Sequence, residues 1–307
     1  MLYQAATRRL TVTDLNCSPG SEPYGSVMAA SDPPIRISVV VPAFNEEPYL
    51  AAALTSLQRQ DYAWPYEIIV VDNNSTDGTA AVAESFGVTV LHEPRPGVCS
   101  ARQRGTDAAR GHIVISTDAD TIQPADWLTR VDAEFAKSDD VTLVAGPCRY
   151  LNPSWWAVLY PKLLFGAVSQ IYRRTGRLVY ITATNTAFVR TAFPGYDSEM
   201  TQGGDELDLL RRMRGRGRTV WLPHNVVSTS PRRLARGLLY TLCVSLLIHY
   251  LLAYGLNRLT TRTMVGTAPA FRTEPLQRSS KRLPLWRLIV SLAVVTLATA
   301  LVVRATG

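Results

Sequence analysis

Residues 67–79 read EIIVVDNNSTDGT, a short run of mostly β-branched residues that ends at Asp72, followed by a polar cluster and a helix start near Thr79. An apolar run of this length without alternation marks a strand buried on both faces. The Asn, Ser, Asp and Gly residues after it turn the chain. The same order recurs just upstream, where Ile37-Ser-Val-Val-Val41 reads as a second such strand. Asn45 can cap the helix that follows, Glu46 and Glu47 suit its positive end, and Pro48 suits its first turn. Leu50, Ala53, Leu54 and Leu57 then recur at helical spacing. Further strands are expected at 88–91, 113–116 and 142–145. Strands alternating with helices at this spacing predict an α/β fold, a mostly parallel sheet with helices on both faces.

The chain of 307 residues is 47% hydrophobic, enough for a sizeable core, and this excludes a wholly disordered chain, a collagen or a disulfide-stapled module. Charged residues make up 19%, below the usual fraction of roughly a quarter, and the deficit lies toward the C-terminal end. The net charge of +7 suggests an anionic lipid or a phosphate-bearing substrate. No basic run alternates with aromatics, so nucleic acid is not an expected partner. The basic residues instead gather near apolar stretches, which favours a membrane surface. Cys17, Cys99, Cys148 and Cys243 form no CxxC pair and read as reduced thiols or core fillers.

Residues 1–34 show no period and no apolar stretch long enough for a secretory signal, and a disordered extension is expected there, with Met28 as a second candidate start. The α/β domain is expected over 35–236. Within it, residues 154–172 (SWWAVLYPKLLFGAVSQIY) are nearly all apolar but interrupted by Pro161 and Gly166. An interfacial helix pair with Trp155 and Trp156 at headgroup level stands beside plain core packing. A strand-like stretch at 179–188 and an acidic helix start at Asp205 follow. Residues 237–256 carry no formal charge, and 285–303 carry only Arg287, so 237–307 is expected to be a membrane region. Arg232, Arg233 and Arg236 favour a cytoplasmic start to it. The basic loop between the two segments opposes two simple spans, leaving a hairpin open.

Thr117-Asp118-Ala119-Asp120 directly follows the strand at 113–116. In extended backbone, positions two apart face the same way, so both carboxylates can point into one space. Ligand crevices form at the carboxyl edge of parallel strands. Two hard oxygen ligands there suit Mg²⁺ or Mn²⁺ held together with a diphosphate, while a solvated acidic turn is the plainer reading.

SVVVPAFNEE at 38–47, EIIVVDNNSTDGT at 67–79, PGVCSARQRG at 96–105 and the DAD of 118–120 occur in that order. Together they resemble the family 2 glycosyltransferases, which have the GT-A fold, over about residues 36 to 236. The resemblance implies that Pro42, Ala43, Phe44, Asn45 and Glu46 line a nucleotide pocket. It implies that Asp72 accepts from the base ring, that Asp118 lies near ribose and metal, and that Asp120 is the direct metal ligand. Arg102 matches an arginine near the diphosphate. The stretch GGDELDLLRR at 203–212 resembles the family's acidic pair with its usual order reversed, which puts Glu206 in the base position and Asp205 in reserve.

His224 stands too early to match a family histidine and reads as a solvated loop residue. The Gln-x-x-Arg-Trp signature of processive synthases is missing, and Ser230-Pro-Arg-Arg233 stands near its place. A single addition is therefore expected, with Arg232 and Arg233 facing anionic lipid rather than a phosphate. The implied reaction is inverting, metal-dependent transfer of one sugar from a UDP- or GDP-linked nucleotide-sugar donor to a hydroxyl of a lipid-linked or glycan acceptor at the cytoplasmic face of a membrane. A polyprenyl-phosphate glycosyltransferase and a non-catalytic membrane-anchored scaffold are the other readings.

Overall fold

The computed structural model describes residues 34–153, 155–197 and 205–234. The expected N-terminal extension, save Pro34, and the apolar segments 237–256 and 285–303 lie outside the described residues, as do Cys17, Cys243 and the side chains of Trp155 and Trp156. The first half of the domain runs β1 (Ile37–Ala43), α1 (Glu47–Gln58), β2 (Tyr66–Asp72), α2 (Thr79–Ser85), β3 (Thr89–His92), α3 (Val98–Ala108) and β4 (Ile113–Ser116). The second half adds β5 (Thr121–Ile122), α4 (Trp127–Phe135), β6 (Val141–Ala145), β7 (Cys148–Tyr150), α5 (Trp155–Thr175), β8 (Thr186–Val189), α6 (Asp205–Met213), β9 (Arg218–Trp221) and β10 (Val227–Thr229).

Seven strands form one sheet in the order β3-β2-β1-β4-β8-β6-β9. All neighbours pair in parallel except β8, which runs antiparallel to both β4 and β6. Side chains on successive strand residues go to opposite faces, and each face is roofed by helices. Val39, Val41, Ile68, Val70, Ile113 and Ile115 pack with Leu50, Leu54 and Leu57 of α1 and Trp127, Leu128 and Val131 of α4. Val40, Ile69, Val71 and Val114 pack on the other side with Ala101 of α3, Phe165 and Val168 of α5, and Leu209 and Leu210 of α6. The helical spacing of Leu50, Ala53, Leu54 and Leu57 thus becomes the buried stripe of α1.

Gly105 explains one glycine of the 96–105 stretch. A Cβ there would stand 2.3 Å from Val40 Cγ1 and 3.0 Å from Val71 Cγ2, so the glycine lets α3 lie close against β1 and β2.

Three expectations are corrected. Residues 154–172 do not form a helix pair broken at Pro161 and Gly166. Within them α5 is a single helix, with Phe165 and Val168 buried and Phe165 stacked on Trp221, while Gly166 lies on the exposed face. Inner-face packing outweighs the proline in the second turn. The expected strand at 179–188 shrinks to β8, because Ala183–Asn185 form a short 3-10 turn. Asn45 does not cap α1. The cap position belongs to Glu46, and Asn45 sits at φ 54° with its Oδ1 accepting from the Thr76 N–H at 2.7 Å. Among the described residues, no helix is long and apolar enough to cross a membrane.

Candidate functional site

Because β1 lies between β2 and β4, the loops leaving these three parallel strands meet at one edge of the sheet. Pro42 and Ala43 end β1 beside Val71 and Asp72 of β2. The loops are laced by polar groups. The Asn45 N–H donates to Ser75 Oγ (3.0 Å), the Glu46 N–H to Thr79 Oγ1 (2.8 Å), and the Ser75 N–H to Asp72 Oδ1 (3.2 Å). Asn73 extends the lacing to the entry of α3, donating to the Glu93 and Arg95 carbonyls and accepting from the Gly97 N–H. Polar side chains after β2 are thus used to fix backbone, which leaves the half-buried Phe44 and the mostly buried Asp72 at a rigid edge.

The chain leaves β4 at Ser116 and turns, with the Thr121 N–H donating to the Asp118 carbonyl at 3.2 Å. The two carboxylates therefore do not share an extended backbone, and each meets a different guanidinium. Asp118 Oδ1 accepts from Arg102 Nη2 at 2.9 Å. Arg102 Nη1 also donates to Asp205 Oδ2, so one arginine joins the exit of β4 to the first turn of α6. Burial of Arg102 by itself favours the neutral form, but Asp205 and Asp118 outweigh it and hold the guanidinium charged. Arg102 is only 4% exposed, which places it beneath the edge as a brace.

This pairing separates the two acids of α6. Asp205 is buried against Arg102, whereas Glu206 is half-buried. Burial, and next the charge of Glu206, raise the Tyr180 phenol well above its ordinary value. Tyr160 on α5 is raised by burial, then by Cys148 and Glu206. Glu206 therefore stands within electrostatic reach of Tyr160 and Tyr180.

Asp120 is held from the other side by the end of the chain's described part. Its Oδ1 accepts from Thr229 Oγ1 (3.2 Å), and its carbonyl accepts from the Ser230 N–H (3.2 Å). Its Oδ2 accepts from Arg232 Nη2 at 2.6 Å. The same nitrogen donates to Glu46 Oε2 at 2.8 Å and Oε1 at 3.0 Å, and the guanidinium carbon lies 4.3 Å from the Tyr49 ring centroid. Burial works against the charge on Arg232, but Asp120 and then Glu46 raise its pKa further than burial lowers it. Arg232 thus turns into the site, which corrects the expectation that it faces lipid.

Thr229, Arg232 and Tyr49 are the site residues missed from sequence. The signal for Arg232 was the basic Pro-Arg-Arg stretch near the place of the missing synthase signature. His224 lies in an exposed turn and contributes its backbone carbonyl to Arg130.

Among the described residues, no group of three or more His, Cys, Asp or Glu side chains is gathered for a metal. The donor set nevertheless fits a hard divalent cation. Asp120 and Glu46 already share one cationic nitrogen, and Asp118 lies on the same turn as Asp120.

Residues 38–195, about half of the chain, match the model for glycosyl transferase family 2. The chain belongs to this family. An uncharacterized glycosyltransferase of Mycobacterium tuberculosis is 42% identical over 120 residues, covering 39% of this chain and 52% of the relative. An undecaprenyl-phosphate 4-deoxy-4-formamido-L-arabinose transferase of Serratia proteamaculans is 35% identical over 113 residues, covering 34% of this chain and 35% of the relative. The match thus spans about half, or less, of the length of these curated relatives. Among solved structures, the mannosyltransferase PcManGT from Pyrobaculum calidifontis, in complex with GDP-Man and Mn²⁺, superposes with a TM-score of 0.50. It shares 24% identity, with 64% of this chain and 59% of that chain covered. The family 2 glycosyltransferase is accordingly an α/β protein of GT-A-like fold.

Proposed function

We propose that this glycosyltransferase transfers one sugar, with inversion, from a UDP- or GDP-linked donor to a hydroxyl of a lipid-linked or glycan acceptor at the cytoplasmic face of a membrane. The observation that carries the reading is the convergence of Asp72, Asp118, Asp120 and Glu46 at one sheet edge, with the Arg232 guanidinium bridging Asp120 and Glu46. Asp72 accepts from the base, and Pro42 to Glu46 form the wall beside it. Asp118 and Asp120 would hold Mg²⁺ or Mn²⁺. The bound cation supplies charge stabilisation for the departing nucleoside diphosphate.

Glu206 takes the proton from the acceptor hydroxyl as its oxygen bonds to the anomeric carbon and the bond to the diphosphate breaks. The ion pair of Asp205 with Arg102 supports Glu206 over Asp205 in that role. Attack opposite the leaving group inverts the centre. The PcManGT structure with GDP-Man and Mn²⁺ supports the choice of donor class and metal.

A second reading, in which the acceptor is a polyprenyl phosphate, is favoured by the undecaprenyl-phosphate transferase of Serratia proteamaculans. A phosphate acceptor is already ionised and needs no base. Glu206→Gln separates the two, because phosphate transfer tolerates the change and hydroxyl transfer does not.

The donor site is tested by binding of UDP-, GDP- and dTDP-sugars to the detergent-solubilised full chain, with and without Mn²⁺. Metal-dependent binding of one donor class, lost in Asp120→Asn, is the expected result. Folded protein that binds none of them would leave the scaffold reading in its place.

A further inference from the structure

Arg232 closes a contact among three segments far apart in the chain. Its Nη2 carries two N–H bonds, which suits one bond to Asp120 Oδ2 and a second shared by the two Glu46 oxygens. Without a cation between them, two carboxylates this close would repel each other in a partly desolvated edge. The guanidinium supplies the missing charge. It also lies against the Tyr49 face, so it is held by ring as well as carboxylates.

We propose that Arg232 is a built-in counter-cation. It occupies the divalent-cation position between Asp120 and Glu46, the metal enters by displacing it, and Glu46 then serves as a metal ligand beside Asp120. The inference rests on the metal-dependent donor site proposed above and assigns that site a second ligand and a gate.

The physical grounds are charge and geometry. A guanidinium does not lose its proton near neutral pH, so it leaves the carboxylates only by moving. A small divalent metal such as Mg²⁺ draws oxygen ligands to about 2.0–2.1 Å, closer than the 2.6–3.0 Å nitrogen contacts made here, so metal and guanidinium exclude one another on these oxygens. Metal binding is therefore weakened by the fraction of molecules in which Arg232 is seated. A nucleoside diphosphate brings new negative charge to the edge and gives the displaced guanidinium a partner, which makes metal and donor load together. Arg232 sits in the short turn Pro231–Leu234, directly before the stretch that leads to residues 237–256.

The test is Mn²⁺ binding without nucleotide, read from the free-ion paramagnetic resonance signal, on the full chain in detergent. Arg232→Gln is expected to tighten Mn²⁺ binding about tenfold by removing the competitor, and Arg232→Lys to stay near wild type. Adding Glu46→Gln to Arg232→Gln is expected to abolish the gain. Binding by Arg232→Gln that is equal to or weaker than wild type overturns the proposal, as does a gain that survives loss of the Glu46 carboxylate.

Wild-type protein gives an independent reading that needs no variant to fold. Mn²⁺ should speed tryptic cleavage of the Arg232–Arg233 bond, and a rate indifferent to Mn²⁺ overturns the proposal. Donor binding on the same samples reads the transferase site separately. Donor binding without the Mn²⁺ gain removes the counter-cation alone, whereas the gain without donor binding removes the transferase reading alone.

Discussion

Arg102 on α3 and Asp205 at the first residue of α6 form a buried ion pair, and the second arm of the same guanidinium reaches Asp118. The pair fixes α6 against the edge of the sheet and buries Asp205, whereas the neighbouring Glu206 is half-buried. Both side chains of the pair are almost fully withdrawn from water, at 5% and 6% exposure, so removing one partner strands the other.

Arg102→Leu leaves two carboxylates facing each other without their cation. Unfolding free energy is expected to fall by about 3–5 kcal/mol, measured by urea denaturation. Arg102→Lys recovers only part of this, since one ammonium cannot reproduce the two-armed fork.

The two acids of α6 are expected to respond differently. Glu206→Gln should leave the melting temperature and donor affinity near wild type and lower kcat for a hydroxyl acceptor by about 10²–10⁴-fold. Asp205→Asn should lower stability by about 1–3 kcal/mol, because it turns a buried charged hydrogen bond into a neutral one. A melting scan alongside a single-turnover assay separates the two effects.

Glu67 reports on pH. Burial alone would raise its carboxyl, but the Ser38 hydroxyl (2.6 Å), the Arg110 N–H (2.7 Å) and the Arg110 side chain bring it below the ordinary value of 4.5. A carboxyl with a depressed folded-state pKa binds fewer protons than the unfolded chain in mild acid. Its contribution is therefore fully present above the unfolded value and is lost as pH falls through the folded one. Glu67→Gln should cost about 1 kcal/mol at pH 7, a modest figure because Arg110 is largely exposed. The difference between the two proteins should vanish in acid, which denaturation curves across pH 2.5–7 would check.

Gly105→Ala places a methyl carbon against Val40 and Val71. Backbone shifts in α3 should destabilise the protein by about 1–3 kcal/mol. Adding Val40→Ala should return part of that loss, and a double-mutant cycle measures the coupling.

The sequence by itself determined the parts of this protein that obey a local period. The runs at 37–41, 67–71 and 113–116 became the central strands β1, β2 and β4, and Leu50, Ala53, Leu54 and Leu57 became the buried stripe of α1. Those patterns are legible because burial on a strand or helix repeats with the geometry of its own backbone. Asp72, Asp118 and Asp120 could be placed at a strand's carboxyl edge for the same reason.

Tertiary structure alone decided which charges meet at the site. Arg102 finds Asp205 across 103 positions and Arg232 finds Glu46 across 186, and no period links such residues. It also decided that α5 continues through Pro161, because the packing of Phe165 on Trp221 belongs to another part of the chain. Local propensity acts between residues a few positions apart, whereas the pairing of a buried charge is set by whichever opposite charge the completed fold brings within reach.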